Sequence, residues 1–336
     1  MSHIPGTPFS LLCPLLLSVA RCALASAGFE QLTITDPLSK LLTIGVWYPS
    51  DAPTSPQALA GMYTQVVARG SAISGRGHPL VVISHGNNGS LASLYDTAIA
   101  LAQAGFVAAA VTHTGDNFQD QSYVRNGKNL IDRPRQMRRL VDYMLKEWPS
   151  HDRIDVNRIG ILGHSLGGFT ALVAIGGSPD LTGVARLCKA KPDAPECAFV
   201  KQNQGDQSNS SPGPPPVWLS DPRIKAAVIA APAVVVDFDN GGLRAVKVPV
   251  QLWRAEQDNQ APDAWNSKIV REQLPSKPDE HLVKNASHMA FIPCSDVLSR
   301  TAPFVCQDPT GFDRAKFHQE FNLAVVAFFE KQLARR

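Results

Sequence analysis

No apolar run in this sequence approaches the roughly 20 residues that a membrane-spanning helix needs. A clustered basic block is also missing. Lys+Arg 32 against Asp+Glu 29 leaves a net charge of +3, spread along the chain, and only Ala334-Arg335-Arg336 gathers positive charge. A nucleic-acid-binding face is therefore not expected. Charged residues are scarce at 18% against 44% hydrophobic, a balance that excludes a disordered chain. No period of roughly 20–50 residues repeats, which removes solenoids and propellers. Six cysteines in 336 residues are too few for a disulfide-built mini-scaffold, and none has the CxxC spacing of zinc or dithiol sites. What remains is a well-cored globular chain with room for one large domain or two small ones.

The stretch 9–20 is a short apolar run, followed by Ala23-Leu24-Ala25-Ser26-Ala27. Small residues at Ala25 and Ala27 predict a signal peptide over residues 1–27, cleaved after Ala27. No Lys or Arg precedes the apolar run, and a frayed N-terminal helix is the alternative. Val19-Ala20-Arg21-Cys22 resembles a lipoprotein box only loosely, because Arg21 stands where a small residue is required. Loss of the leader removes Cys13 and Cys22 and leaves Cys188, Cys197, Cys294 and Cys306, in pairs nine and twelve positions apart. The two local pairings close the shortest loops. Disulfides there fit an exported protein, periplasmic or secreted; four buried free thiols are the other reading.

Along the rest of the chain, β-rich runs alternate with helical ones. Leu42-Thr43-Ile44-Gly45-Val46-Trp47-Tyr48 reads as an early strand paired with residues 29–34. Further short apolar runs lie at 80–84, 106–111, 158–162, 226–230, 250–253 and 281–284. Helices are expected over 91–104, over 134–148 with Asp132 and Pro134 as start signals, and over 166–175. Near the end, Asp313 can cap a helix whose Phe317, Phe321, Ala324, Val325 and Phe328 share one apolar face. Apolar strands alternating with helices imply an α/β fold, a mostly parallel sheet covered on both faces. Residues 28–336 are expected to form that domain. Residues 176–221, with Cys188, Cys197 and a Ser/Asn/Gly/Pro-rich run at 202–216, read as an irregular insertion over one end of the sheet, either a lid or a passive excursion.

The chemistry concentrates at Gly163-His164-Ser165-Leu166-Gly167-Gly168, between a predicted strand and a predicted helix. That is the context of a nucleophile elbow. The turn is so tight that side chains at positions 163 and 167 would strike neighbouring chain, and Ser165 is forced into a strained geometry with its hydroxyl exposed. The alternative is a glycine-rich turn with an idle serine. A serine hydroxyl is a weak nucleophile without a base to take its proton, and on this architecture the partners follow as acid, then histidine. After the strand near 250 comes Arg254-Ala255-Glu256-Gln257-Asp258-Asn259-Gln260-Ala261-Pro262, and after the strand near 282 comes Asn285-Ala286-Ser287-His288. His288 is the expected general base and Asp258 the acid that fixes its tautomer. Glu256 and Asp263 are rivals for the acid, and a structural role is the alternative for His288. His113 also follows a strand but precedes the serine.

An oxyanion hole needs two N–H donors. Leu166, directly after the nucleophile, supplies one; the turn Ser84-His85-Gly86-Asn87-Asn88-Gly89 is expected to supply the other, through either the backbone or the side-chain amide of Asn87.

With these pieces in place, the chain resembles the α/β-hydrolases, on the branch of dienelactone hydrolase-like proteins and platelet-activating-factor acetylhydrolases. The resemblance rests on Val82-Ile83-Ser84-His85-Gly86, Ala104-Gly105-Phe106-Val107-Ala108-Ala109-Ala110-Val111, the run from Arg158 to Gly168, and the Asp258 and His288 loops; it covers about residues 40–330. Position 165 is Ser where dienelactone hydrolases proper resemble this fold with Cys. The acetylhydrolases place the acid after the preceding strand, where this chain has Ala230-Ala231-Pro232-Ala233; Asp258 matches the dienelactone-type placement. The resemblance implies a serine hydrolase of carboxylic esters, with a small-molecule or lipid-like ester substrate and neither metal nor cofactor. An amidase or peptidase on the same scaffold, and a catalytically silent binding module, are the alternatives.

Overall fold

The apolar runs meet in one ten-stranded sheet of order β10-β9-β8-β7-β5-β6-β2-β1-β4-β3. It is seen in a computed structural model that describes residues 26–38, 41–124, 127–197 and 217–335. The strands are β1 Ser26–Ile34, β2 Leu42–Ser50, β3 Ser55–Leu59, β4 Tyr63–Arg69, β5 His78–Ser84, β6 Val107–Thr112, β7 Ile154–His164, β8 Ile224–Ala230, β9 Val250–Ala255 and β10 Asp279–Val283. From β6 through β5, β7, β8 and β9 to β10 every pairing is parallel. The carboxyl ends of these strands therefore share one edge, and the loops after them converge. Residues of β5 are buried throughout, because helices cover both faces and a side chain on either side meets protein.

On one face α1, Tyr95–Gln103, packs with α7, Arg314–Gln332, whose Phe317, Phe321, Val325, Phe328 and Phe329 are buried. On the other, α2, Lys128–Lys146, contributes Met137, Leu140, Val141 and Met144 beside α3, Leu166–Ala174. All nine residues of α3 are buried, so this helix has no polar face. The expected Asp313 cap is present, its side chain accepting from the Lys316 N–H. Three short helices complete the labels: α4 Gly183–Ala190, α5 Ser267–Gln273 and α6 Asp296–Thr301.

One expectation needs correction, and one element was not foreseen. Helix α2 starts at Lys128, after Gly127 in the left-handed region (φ +68), and not near Asp132 and Pro134. Pro134 lies inside it and Asp132 bonds Arg135 and Lys128 instead of capping. Asn129 and Arg133, anchored in tertiary hydrogen bonds, hold the first turns together against the proline. The β3–β4 hairpin was not anticipated; its alternation of buried and exposed residues is short, and β4 joins the sheet by pairing parallel with β1. At the amino end, Ser26 and Ala27 pair with Ser50 and Pro49, and Ala27 is buried. Residues 1–25, which hold most of the predicted leader, and 198–216 of the predicted insertion lie outside the described residues.

Candidate active site

The elbow between β7 and α3 has the geometry its glycines require. A Cβ at Gly163 would stand 2.0 Å from the Gly167 carbonyl oxygen, and one at Gly167 would stand 2.0 Å from the Ser84 carbonyl oxygen. Ser165 has φ +54 and ψ −122, a region costly for a residue with a side chain. The strain is over-determined by its neighbours. The Ser165 N–H donates to Ala230 O at 2.9 Å, and its carbonyl accepts from Gly168 at 2.8 Å and Ala233 at 3.2 Å.

The loops after β9 and β10 deliver the expected partners. His288 Nε2 lies 2.8 Å from Ser165 Oγ, and His288 Nδ1 lies 2.7 Å from Asp258 Oδ2. The His288 and Asp258 side chains are only 3% and 5% exposed, so the chain of hydrogen bonds runs out of water. Asp258 Oδ1 accepts from the Gln260 and Ala261 N–H groups at 3.0 and 2.7 Å, which fixes the carboxylate plane. The rival carboxylates point elsewhere. Glu256 pairs with Lys284 at 2.8 Å and accepts from the Asn285 N–H. Asp263 forms a two-pronged pair with Arg271 at 2.7 and 2.8 Å. His113 is buried between Ser84 Oγ and Gln136 Oε1, away from the serine. Beside Ser165, burial first and then the neighbouring His288 push His164 down to about 3, so its ring is neutral at ordinary pH.

Leu166 opens α3, where the first N–H groups have no carbonyl one turn back to bond. Gly86, Asn87 and Asn88 line the same cavity as Ser165, Leu166 and His288. The Asn87 side-chain amide lies there too, its oxygen buried without a hydrogen-bond partner among the described residues. This cavity has a volume of about 1070 Å³. One wall comes from the segment after His288, with Ile292, Leu298 and Phe304, together with Met62 and Tyr63 of the β3–β4 hairpin. A further contribution comes from the start of the insertion, with Leu181, Val184 and Glu196. Both cysteine-bearing segments are closed as expected: Cys188–Cys197 and Cys294–Cys306 are disulfide-bonded, with Cα atoms 5.5 and 5.3 Å apart.

Four buried groups around the site had no local signal. Asp116 follows β6 and Arg133 sits on an amphipathic helix, positions that usually hold solvated charges. Here Arg133 Nη1 contacts Asp116 Oδ2 at 2.6 Å with both side chains enclosed. Glu196 accepts from Trp265 Nε1 and Asn266 Nδ2, and burial raises its carboxyl. Asp237 accepts from the Val184 N–H at 2.9 Å, and burial raises its carboxyl to about 7. Among the described residues, no group of three or more His, Cys, Asp or Glu is arranged to hold a metal ion. No helix there is long and apolar enough to cross a membrane.

Comparison with known proteins agrees with this architecture. A ferulic acid esterase from Streptomyces cinnamoneus superposes over 94% of this chain and 92% of its own, with a TM-score of 0.60 at 19% sequence identity. The chain has the α/β-hydrolase fold. In all, 787 chains of solved structure match this one. The sequence model of the prolyl oligopeptidase family matches residues 93–185, a span that holds the Ser165 elbow but neither Asp258 nor His288. No curated protein matches the chain by sequence.

Proposed function

We propose that this α/β-hydrolase is a serine hydrolase of carboxylic esters, with Ser165, His288 and Asp258 as its triad. The observation that carries the reading is the unbroken line from Ser165 Oγ through the His288 ring to Asp258, at 2.8 and 2.7 Å. In the acylation step Ser165 Oγ attacks the ester carbonyl carbon while His288 Nε2 takes its proton. Asp258 holds Nδ1–H and stabilises the imidazolium. The N–H groups of Leu166 and Asn87 receive the oxyanion. Collapse breaks the bond to the alcohol, which leaves with the proton from His288. Water then repeats the sequence on the acyl-enzyme and releases the carboxylic acid.

The lining supports a neutral and largely apolar ester. It carries Phe118, Ile131, Leu181 and Phe304, which are 36–54% exposed. Among the described lining residues, Glu196, Asp237 and Tyr63 are the titratable groups besides histidines, and none is a lysine or arginine. An acid after β9 supports the resemblance to dienelactone hydrolase-like proteins, and the ferulic acid esterase neighbour favours ester chemistry. The match to the prolyl oligopeptidase family favours a second reading, hydrolysis of an amide or peptide bond. Export is proposed with this function, supported by the two disulfides. A leader cleaved after Ala27 would remove the first two residues of β1. The test is labelling by a fluorophosphonate probe, followed by turnover of p-nitrophenyl esters of graded acyl length and of a matching anilide. Absence of labelling at Ser165 overturns the enzyme reading, and faster turnover of the anilide than of the ester overturns the ester reading.

A further inference from the structure

Arg133 is a fully enclosed cation that the triad does not use. It projects from α2 beneath the turn 84–89, and its guanidinium touches every element that carries the proposed oxyanion donors. Nη2 donates to the His85 carbonyl, and Nη1 pairs with Asp116 Oδ2 at 2.6 Å. Nε donates to Thr170 Oγ1 at 3.2 Å, while that hydroxyl donates to the Leu166 carbonyl at 2.9 Å. On the far side of the same turn, Asp116 Oδ1 accepts from the Asn88 N–H at 3.1 Å. The ion pair thus grips the backbone two residues before Asn87 and one residue after it. Through Thr170 the same guanidinium reaches Leu166.

A buried ion pair is a poor way to gain stability, because desolvating both charges offsets most of their attraction. Burial lowers the Arg133 guanidinium from its usual range and works to raise Asp116, which Arg133 and the Asn129 amide nonetheless hold below the ordinary carboxylate value. The planar fork of arginine offers what stability alone would not require, namely fixed directions to several acceptors at once. Resting on the serine-hydrolase reading above, we infer that Arg133, held by Asp116, is a positioning residue that keeps the Asn87 and Leu166 amides aimed at one point. It does not line the cavity and does not touch substrate.

The test compares the wild type with Arg133→Met/Asp116→Asn, which removes both charges together and keeps an acceptor for the Asn88 N–H. Three quantities are read on a p-nitrophenyl ester and on hexylboronic acid, whose adduct with the serine is a tetrahedral, anionic boronate that places an oxygen where the oxyanion forms. With a folded variant, kcat falls about a hundredfold and boronic acid affinity falls in parallel, as for loss of an oxyanion donor, while KM stays within about threefold. A merely structural role would move KM and boronate affinity together or leave both alone. The inference is overturned if kcat and boronate affinity both stay within about threefold. Should the double variant not fold, Arg133→Lys keeps the charge without the fork. There, kcat lower by about tenfold or more at unchanged KM supports the clamp, and kcat within about threefold overturns it. If the wild type is not labelled at Ser165, the enzyme reading fails by itself. The clamp is then judged by hydrogen exchange at the Asn88 amide, which donates to Asp116: faster exchange in the folded variant supports it, and unchanged protection overturns it.

Discussion

The floor of the cavity and its walls are built in different ways. Ser165, Asp258 and His288 stand at the carboxyl ends of β7, β9 and β10, enclosed and bonded in sequence. The walls come from connecting segments with short helices in them, residues 181–197 and 289–305, each closed by a disulfide and each presenting an exposed apolar side chain, Leu181 or Phe304. A parallel sheet sets the spacing of its strand ends to within the pairing register, so groups mounted there inherit its rigidity. Loops carry no such constraint and are free to vary the substrate. Chemistry and selectivity should therefore separate under mutation.

The sharpest test is Ser165→Ala, which should abolish ester turnover, with a loss on the order of 10⁴–10⁶ and an unchanged fold. A soluble variant that kept a tenth of the wild-type kcat would place the nucleophile elsewhere. Next comes the acid. Asp258→Asn should lower kcat by about 10⁴, because the amide no longer holds the productive tautomer. Glu256→Gln and Asp263→Asn, whose carboxylates are engaged with Lys284 and Arg271, should stay within roughly tenfold. A crippled Glu256→Gln would show that the floor extends beyond the strand-end triad.

The two disulfides probe where wall meets floor. Cys294 lies six residues after His288. The same segment is held by Arg314, which donates to the Ile292 and Val305 carbonyls at 2.8 and 2.7 Å. Closing the 294–306 loop is worth roughly 2.5–3 kcal/mol in the chain-entropy model. Displacing the base by about 1 Å can cost a hundredfold. Cys294→Ser/Cys306→Ser should therefore lose turnover before it loses its fold, as read by kcat against melting temperature. Cys188→Ser/Cys197→Ser should instead shift the preference among acyl lengths, with kcat on the best substrate within about threefold. Full turnover in the first variant would break the distinction between the walls.

The smallest effect is on stability. Burial raises Asp237 to about 7, so between its unfolded value and that pH the folded state binds the proton the unfolded chain releases. Its contribution is full below about pH 4 and is lost as pH rises through 7. Asp237→Asn keeps an acceptor for the Val184 N–H without the charge. The wild-type melting temperature should therefore fall, relative to the variant, by about 2 °C or more between pH 5 and pH 8. Parallel profiles would show that the carboxyl is ionised throughout.

Several features of this molecule were legible because they are local. The Gly163–Gly168 elbow was readable because a strand-to-helix turn that tight tolerates only glycine at two positions. The apolar runs of β5 to β10 announced a sheet covered on both faces, since water would otherwise meet one side. Cysteines nine and twelve apart paired within their own loops. Loop register was not legible: Glu256, Asp258 and Asp263 are equivalent acids in sequence, and only the path of the chain after β9 turns Asp258 towards His288. The Arg133–Asp116 pair, the start of α2 ahead of Pro134 and the β3–β4 hairpin were likewise invisible. Each depends on a partner far along the chain, and a charge or a proline reads locally as solvent-facing or helix-breaking until the fold supplies that partner. The sequence alone determined which chemistry was available and on which edge of the sheet. Tertiary structure decided which carboxylate bonds His288 and what encloses the cavity, because those choices are made by contacts between segments that no local pattern records.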